Sequence, residues 1–272
     1  MGWYPPDGKA CKREIDSFLE GWALPPDLPK EVWGGVVPHA GWYFSGKLAA
    51  RVFHTLKSMK KPEVVVLFGG HLGPGDLPRM MVEDIFETPF GDMETHHDLQ
   101  RALSARLEMN REAPTGVDNT VEVQLAMVKY LFPDSKLLAV RAPFSSKAVA
   151  LGEEVASVSI EKGISVFAVG STDLTHYGPN YGFVKKGTGP GSVEWVKKEN
   201  DRGFIDLALK MEAGGLLAHA LHNDSACSAG AVAAAATTCK ALGSQKGTLL
   251  DYYTSYDIMP DDSFVGYAGI VY

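Results

Sequence analysis

The stretch EVVVLFGGHLGP (residues 63–74) joins a run of β-branched and apolar residues to a glycine-rich turn that carries a histidine. An uninterrupted apolar run of this length, bounded by turn residues, predicts a strand that is buried on both faces of a parallel sheet. Comparable runs recur along the chain, and most of them also lack the alternation of a half-exposed strand. We predict strands at residues 32–37, 63–68, 136–141, 164–169, 248–253 and 264–272.

Segments with the periodicity of amphipathic helices separate these apolar runs. Alternating strands and helices are typical of βαβ units, in which helices cover both faces of a mainly parallel sheet. The last two strands instead read as a hairpin joined by the turn MPDDS. We therefore expect an α/β protein whose residues 1–272 form a single domain around a mixed, mainly parallel sheet. We predict helices at residues 45–58, 95–109, 120–131, 145–162, 193–212 and 226–242.

The composition excludes several classes of partner. The chain has 272 residues with 26 Lys and Arg against 33 Asp and Glu, which gives a net charge of -7. Nucleic acids and anionic membranes require a clustered positive field, so we expect neither as a partner. A small-molecule substrate or a short peptide is the expected partner, and a homo-oligomeric state stays open. Because no apolar stretch approaches about 18 residues and the N-terminal residues lack a signal-peptide pattern, we expect a cytoplasmic protein.

Two glycine-rich segments resemble nucleotide-binding loops without meeting their requirements. The segment KKGTGPGSVEW (185–195) lacks both the preceding strand and the Lys-Ser/Thr ending of a phosphate-binding loop. The segment GGHLGPG (69–75) follows a strand, but the residues after it do not open a helix as a dinucleotide fingerprint does. We therefore predict no nucleotide cofactor.

Three histidines lie just after the C-terminal ends of predicted strands. His39 follows the run GGVVP, His71 follows VVVLFGG, and His176 follows VFAVGSTDLT. Loops that leave the C-terminal ends of parallel strands converge on one crevice, where ligands bind. Imidazole is the commonest metal ligand and a proton carrier near neutral pH, so the three predict a metal or acid/base site. The alternative is that they are unrelated polar loop residues.

Among the three cysteines, the sequence around Cys227 predicts the most reactive thiol. Asp224 or Ser225 can cap the alanine-rich helix predicted there, and a thiol in its first turn would ionise more easily. The alternative is a small buried residue. Cys11 and Cys239 have no such setting and are expected to be structural, and the spacing of the three fits neither disulfides nor a paired-cysteine zinc site.

Two carboxylates are candidate catalytic residues. Asp173 lies three residues before His176 and could orient its ring or accept its proton, although a capped turn is equally compatible. Glu122 lies three residues after Asn119, so a capping box is as compatible as a catalytic role.

Seven blocks in the same order resemble the Memo-like family, within the superfamily of class III extradiol ring-cleaving dioxygenases. The resemblance implies an α/β/α sandwich, metal ligands at His39, His71 and Cys227, and an acid/base histidine at His176. The blocks are VVPHAGWYFSG, VVVLFGGHLGP, FETPFGD, VDNTVEVQLAMVKYLFP, AVGSTDLTHYG, ACSAGAVAAAATTCKALG and SFVGYAGIVY.

The chain departs from the family pattern at the ligands themselves. Leu72 stands where the turn usually has a second histidine, and Asn119 stands where a Glu-His-Ser block has its histidine. In the ring-cleaving enzymes the third ligand is a carboxylate, which Cys227 replaces with a thiolate. The superfamily favours Fe(II) as the one divalent metal ion, whereas two His and one Cys suit zinc or copper at least as well.

The leading hypothesis is a metal-dependent oxidoreductase whose substrate is open; if it cleaves rings, the substrate would be a catechol-like aromatic. A second possibility within enzymes is a hydrolase, with a zinc-bound water or with Cys227 as a nucleophile activated by His176. A third is a non-catalytic binding module for a peptide or small anion. The last is favoured by the histidines lost at positions 72 and 119 and by the glycine-rich segment at 185–195.

Overall fold

The strands form one large mixed sheet and a small two-stranded one, in a computed structural model that describes residues 2–112 and 118–272. The strands are β1 (Gly34–Val37), β2 (Val64–Leu72), β3 (Arg79–Met81), β4 (Ile85–Phe86), β5 (Met93–Glu94), β6 (Asn110–Glu112), β7 (Lys136–Pro143), β8 (Val166–Ser171), β9 (His176–Tyr177), β10 (Thr248–Thr254) and β11 (Phe264–Val271). The large sheet has the order β10-β11-β1-β8-β2-β7-β3-β6, and β9 pairs with β11. Its central strands β1, β8, β2 and β7 are parallel, whereas β11 and β3 join them antiparallel. The predicted mixed, mainly parallel sheet is confirmed.

Helices cover both faces of the large sheet. The helices are α1 (Gly8–Leu19), α2 (Trp42–Met59), α3 (His97–Arg106), α4 (Asn119–Leu131), α5 (Ser146–Lys162), α6 (Pro190–Trp195), α7 (Asp201–Leu209), α8 (Ala213–Asn223) and α9 (Ala229–Leu242). Helices α1, α2 and α4 contribute to the core on one face, and α3, α5, α7, α8 and α9 contribute to the core on the other. The protein is therefore a three-layer α/β/α sandwich, as expected. Across the described residues, no helix combines the length and apolarity needed to cross a bilayer.

Strand β2 shows why the apolar run decides this architecture. Val64, Val66 and Phe68 lie in one core, whereas Val65 and Leu67 lie in the other, and all five side chains are fully buried. Successive side chains of a strand point to opposite faces, so a strand between two helical layers needs apolar residues at every position. Burying each such side chain contributes roughly 1.5–3 kcal/mol to the stability of the folded protein.

The alanine-rich helix α9 packs unusually close to its neighbours. A Cβ atom on Gly170 of β8 would lie 2.6 Å from the carbonyl oxygen of Ala231, and one on Gly152 of α5 would collide with the carbonyl oxygen of Ala234. Small side chains on all three elements allow this approach. Because α9 lies against β8, the residues just before it are held at the C-terminal edge of the sheet.

Several elements differ from the prediction. Helix α1 was not predicted, although its apolar residues recur at helical spacing and Cys11 and Ile15 are buried in the core. The helix predicted at 193–212 is interrupted by a π-helical turn at Val196–Asn200, and α8 is a separate helix after Met211, whose φ angle is 56°. A methionine in the left-handed region gives no sequence signal, so that break could not be anticipated.

Candidate metal centre

Three separate segments bring His39, His71 and Cys227 together at the C-terminal edge of the sheet. His39 follows β1, His71 lies near the end of β2, and Cys227 lies two residues before α9. One ligand atom from each side chain lies within 4.8 Å of the other two. Asp173, in the loop after β8, and His176, the first residue of β9, lie beside this cluster, whereas Glu122 does not.

The His39 imidazole is buried and held on one side by the protein. Its Nδ1 lies 3.2 Å from the hydroxyl oxygen of Ser171, to which the Gln124 amide also donates at 3.3 Å. Its Nε2 faces the Cys227 sulfur at 3.2 Å. A metal-binding histidine usually has its second ring nitrogen hydrogen-bonded, which fixes the tautomer and leaves the other nitrogen free to bind. Nε2 is therefore the ligand atom that His39 offers.

The His71 imidazole is held by a carboxylate. Its Nδ1 lies 3.4 Å from Asp118 Oδ2, and its ring is 5.2 Å from that of His39, nearly perpendicular to it. The Asp118 hydrogen bond and Cys227 raise the pKa of His71 to about 10. A carboxylate behind a ligand histidine is a recurrent feature of metal sites, and Asp118, which no sequence pattern indicated, lies in that position relative to His71.

The start of helix α4 differs from the predicted capping box. Asp118, not Asn119, is the N-cap, and its side chain accepts a hydrogen bond from the Thr120 N–H at 2.9 Å. The Asn119 side chain instead donates to the His39 carbonyl oxygen at 3.2 Å. The prediction of Asn119 as the cap was wrong because aspartate and asparagine are about equally good caps and stand next to each other here.

Glu122 lies away from the cluster. It accepts a hydrogen bond from the Tyr4 hydroxyl at 2.7 Å and lines a cavity of about 360 Å³ formed with the N-terminal segment. The structure therefore gives Glu122 a contact that holds the N-terminal segment on α4, and it does not bring this residue to the metal ligands.

Cys227 owes its properties to neighbouring side chains and not to a helix. The helix starts at Ala229 with Ser228 as its N-cap, so the prediction that Cys227 lies in the first turn was wrong. Asp224 ends the preceding helix α8 with a φ angle of 49°, which separates it from α9. Burial opposes ionisation of the thiol, but His39 and its neighbour His71 lower the pKa of Cys227 well below its usual value.

Nearby negative charge also shifts the pKa of the His39 imidazole. Burial by itself would lower the pKa of His39, yet Cys227 and Asp173 raise it to about 9. Without a metal, the cluster therefore favours a thiolate next to imidazolium rings. A divalent cation would take the place of the protons on those rings, and all three ligand atoms would then bind in their deprotonated forms.

Asp173 connects the cluster to His176. Its Oδ1 accepts hydrogen bonds from the His39 N–H at 2.7 Å and the Ala40 N–H at 3.3 Å. Its Oδ2 lies 3.9 Å from His39 Nε2 and 3.8 Å from His176 Nε2. Burial alone would lower the pKa of His176, but Asp173 raises it. This carboxylate thus contacts a predicted ligand and the predicted acid/base at once.

A cavity of about 390 Å³ opens beside Cys227 and His176. The Tyr181 ring lies 5.0 Å from the His176 ring and forms one wall. The cavity is large enough for a small aromatic molecule. The other lining residues are Leu174, Gly182, Phe183, Asp224 and Ala226.

Comparisons with known proteins agree with this architecture. A family model described as "Memo-like protein" matches residues 2–271. The chain belongs to the Memo-like family. A MEMO1 family protein of Methanococcoides burtonii is 32% identical over 99% of this chain and 96% of its own length. Another, from Methanopyrus kandleri, is 30% identical over 99% of this chain and 95% of its own length.

The resemblance found in the seven blocks is thereby confirmed. Membership of the Memo-like family is consistent with a place in the superfamily of class III extradiol dioxygenases. Among solved structures, an uncharacterized protein from Escherichia coli K12 is similar, with a TM-score of 0.54 and 13% identity. The match covers 81% of this Memo-like chain and 91% of the other. At this identity it shows a shared fold only.

Proposed function

We propose that this Memo-like protein is a metal-dependent oxidoreductase in which His39, His71 and Cys227 hold one divalent metal ion. The observation that carries the proposal is the convergence of three ligand atoms within 4.8 Å. The arrangement fits a metal because the Nδ1 atom of each imidazole already has a protein partner, Ser171 for His39 and Asp118 for His71. The Nε2 atom of each ring is therefore free to bind an ion.

The donor set restricts the metal without selecting one. The superfamily favours Fe(II), whereas two imidazoles and a thiolate suit zinc or copper at least as well. Such an ion would supply the Lewis-acid or redox chemistry that the side chains lack. We propose no nucleotide cofactor.

His176 is the proposed acid/base. Its Nε2 is buried and has no hydrogen-bond partner in the described structure, since Asp173 Oδ2 lies 3.8 Å away. About 35% of the side chain is exposed, on the side of the cavity that Tyr181 also lines. The ring can therefore accept a proton from a substrate hydroxyl and return it later, while the charge of Asp173 stabilises the protonated form.

The cavity supports a small aromatic diol as the substrate class. Leu174, Phe183 and Ala226 provide apolar surface, and Tyr181 provides a ring for stacking. A catechol in this cavity would direct its hydroxyls toward His176 and Cys227, and ring cleavage would consume one dioxygen per catechol.

Elemental analysis of protein purified anaerobically without an affinity tag tests the metal site. We expect about one equivalent of iron, copper or zinc in the wild type and its loss in His39→Ala and Cys227→Ala. Cys239→Ala and His54→Ala are matched controls and should keep the metal, because neither residue lies in the cluster. A wild type that stays metal-free after reconstitution would refute the proposal.

Oxygen uptake with a panel of substituted catechols tests the reaction. His176→Ala should keep its metal and lose most of the turnover, by about 100-fold or more for a general acid/base. Unchanged turnover in this variant would exclude His176 from the reaction.

A second candidate is a thiol-dependent hydrolase. It is favoured by the 3.2 Å contact between the Cys227 sulfur and His39 Nε2, the pairing by which a histidine activates a nucleophile. The activating residue would be His39, since His176 has no hydrogen bond to the sulfur. Ester hydrolysis that survives metal chelation but not Cys227→Ala, without oxygen uptake, would favour this candidate. Tight binding of a peptide by the Cys227→Ala variant would instead favour a non-catalytic binding module.

A further inference from the structure

Arg141 is a buried arginine of β7 that contacts the main chain of the segment carrying His71 but none of the three proposed ligand side chains. Its Nε donates to the Gly70 carbonyl oxygen at 2.8 Å, and Nη2 lies 3.5 Å from the His71 carbonyl oxygen. Nη2 also lies 3.1 Å from Asp118 Oδ2, and Nη1 donates to Glu112 Oε1 at 2.6 Å. One guanidinium therefore joins two backbone carbonyls and two carboxylates.

The backbone at His71 requires support. Its φ angle is 60°, a left-handed conformation that costs a residue with a side chain about 1 kcal/mol or more. The regular pairing of β2 with β7 also shifts between Gly69 and Leu72. Arg141 bonds to the two carbonyls inside this irregular segment, so it holds the backbone where the sheet no longer does.

The His71 ring depends on the same guanidinium through Asp118. The Asp118 Oδ2 atom is shared by Arg141 at 3.1 Å and His71 Nδ1 at 3.4 Å. A carboxylate held from one side by an arginine stays in place as an acceptor for the imidazole N–H. Arg141 thus acts on both the main chain and the ring of one predicted ligand.

We propose that Arg141 is a positioning residue of the metal centre, which sets the metal affinity by fixing His71 through Asp118 and through two backbone carbonyls. The inference rests on the proposed metal site. It names a residue that lies 70 positions from His71 in sequence and was not part of the predicted centre.

Zinc affinity, measured by competition with a chromophoric chelator, tests the proposal in the Arg141→Lys variant. Lysine keeps the charge but cannot bond to two carbonyls and a carboxylate in the geometry of a guanidinium fork. We expect zinc affinity to fall by about 10- to 100-fold, the usual loss when support for a metal ligand is removed.

Arg51→Lys is the matched control. The Arg51 side chain is 12% exposed and pairs with Asp251 at 2.6 Å, whereas Arg141 is 11% exposed and pairs with Glu112 at 2.6 Å. Each substitution alters one mostly buried ion pair of an arginine, and Arg51→Lys should leave zinc affinity within about 2-fold of wild type. Equal zinc affinity in the two variants would overturn the proposal.

Asp118→Asn gives a second test in case the lysine variant folds poorly. The amide keeps the shape of the side chain but puts a donor where Arg141 and His71 both donate, so zinc affinity should fall in the same range.

In a His71→Ala background, Arg141→Lys should have no further effect on the residual zinc affinity. A full additional loss there would show that Arg141 does not act through His71.

A metal-free readout separates this inference from the proposed function. If wild type binds none of iron, copper and zinc, the metal site itself fails. A crystal structure of Arg141→Lys then decides the positioning role: it is supported if the residue-71 backbone leaves the left-handed region, and overturned if backbone and ring are unchanged.

Discussion

The two ends of helix α9 place the same residue type in opposite surroundings. Cys227, just before the helix, lies between two imidazoles that lower its pKa well below the usual value. Cys239, near the end of the helix, is fully buried, and desolvation raises its pKa. Both thiols belong to one alanine-rich block of sequence, so the charged neighbours and not the helix decide which one is reactive.

Two buried aspartates repeat this contrast. Burial would raise the pKa of Asp173, but the charges of His39 and His176 lower it. Asp201 accepts hydrogen bonds from neutral groups, Thr175 and Tyr252, and burial raises its pKa to about 6. Nearby positive charge thus stabilises the Asp173 anion, whereas the neutral partners of Asp201 do not overcome the cost of its burial.

The largest expected effect is on thiol alkylation. In metal-free protein at pH 7, Cys227 should react with iodoacetamide at least about 100-fold faster than Cys239, because only Cys227 is both accessible and thiolate-like. Peptide mass spectrometry of a time course measures both rates, and bound zinc should protect Cys227. Similar rates for the two thiols would show that the neighbouring imidazoles do not activate Cys227.

The next effect concerns the pH dependence of stability. The folded-state pKa of Asp201 is about 6, above its unfolded value of 3.8. Protonation of Asp201 therefore stabilises the folded state most below about pH 4, and this contribution to the free energy of unfolding is lost as the pH rises through 6. A shift of about two units corresponds to roughly 3 kcal/mol. Urea unfolding of wild type and Asp201→Asn at pH 4 and pH 7 should show the variant gaining up to that amount relative to wild type. Asp206→Asn, at a half-exposed position of the same helix, is the control.

The smallest effect concerns packing along α9. Gly152→Ala should lower the free energy of unfolding by about 1–3 kcal/mol, because the added Cβ collides with the Ala234 carbonyl oxygen. Gly214→Ala, also in a helix but with open space around the added atom, should be neutral or stabilising by up to about 1 kcal/mol. Urea denaturation measures both. A Gly152→Ala protein as stable as wild type would show that the packing is less tight than described.

The histidines of the site could be predicted because each of them follows a strand that the local sequence reveals. His39, His71 and His176 each follow an apolar strand, and in the structure the first two meet at the sheet edge with His176 beside them. The helix start at Ala229 was placed three residues too early, because Asp224 and Ser225 look like caps but belong to the end of α8 and its connection. Capping is a short-range signal, and here two candidate caps competed.

The layered α/β architecture and the Memo-like family could be predicted from the sequence, because apolar runs, helical periods and motif order are properties of neighbouring residues. The pairs of side chains that act on one another became visible in the folded protein: Cys227 with His39, 188 positions away, and Arg141 with His71, 70 positions away. Charge interactions and hydrogen bonds depend on distance in space, which no local pattern encodes.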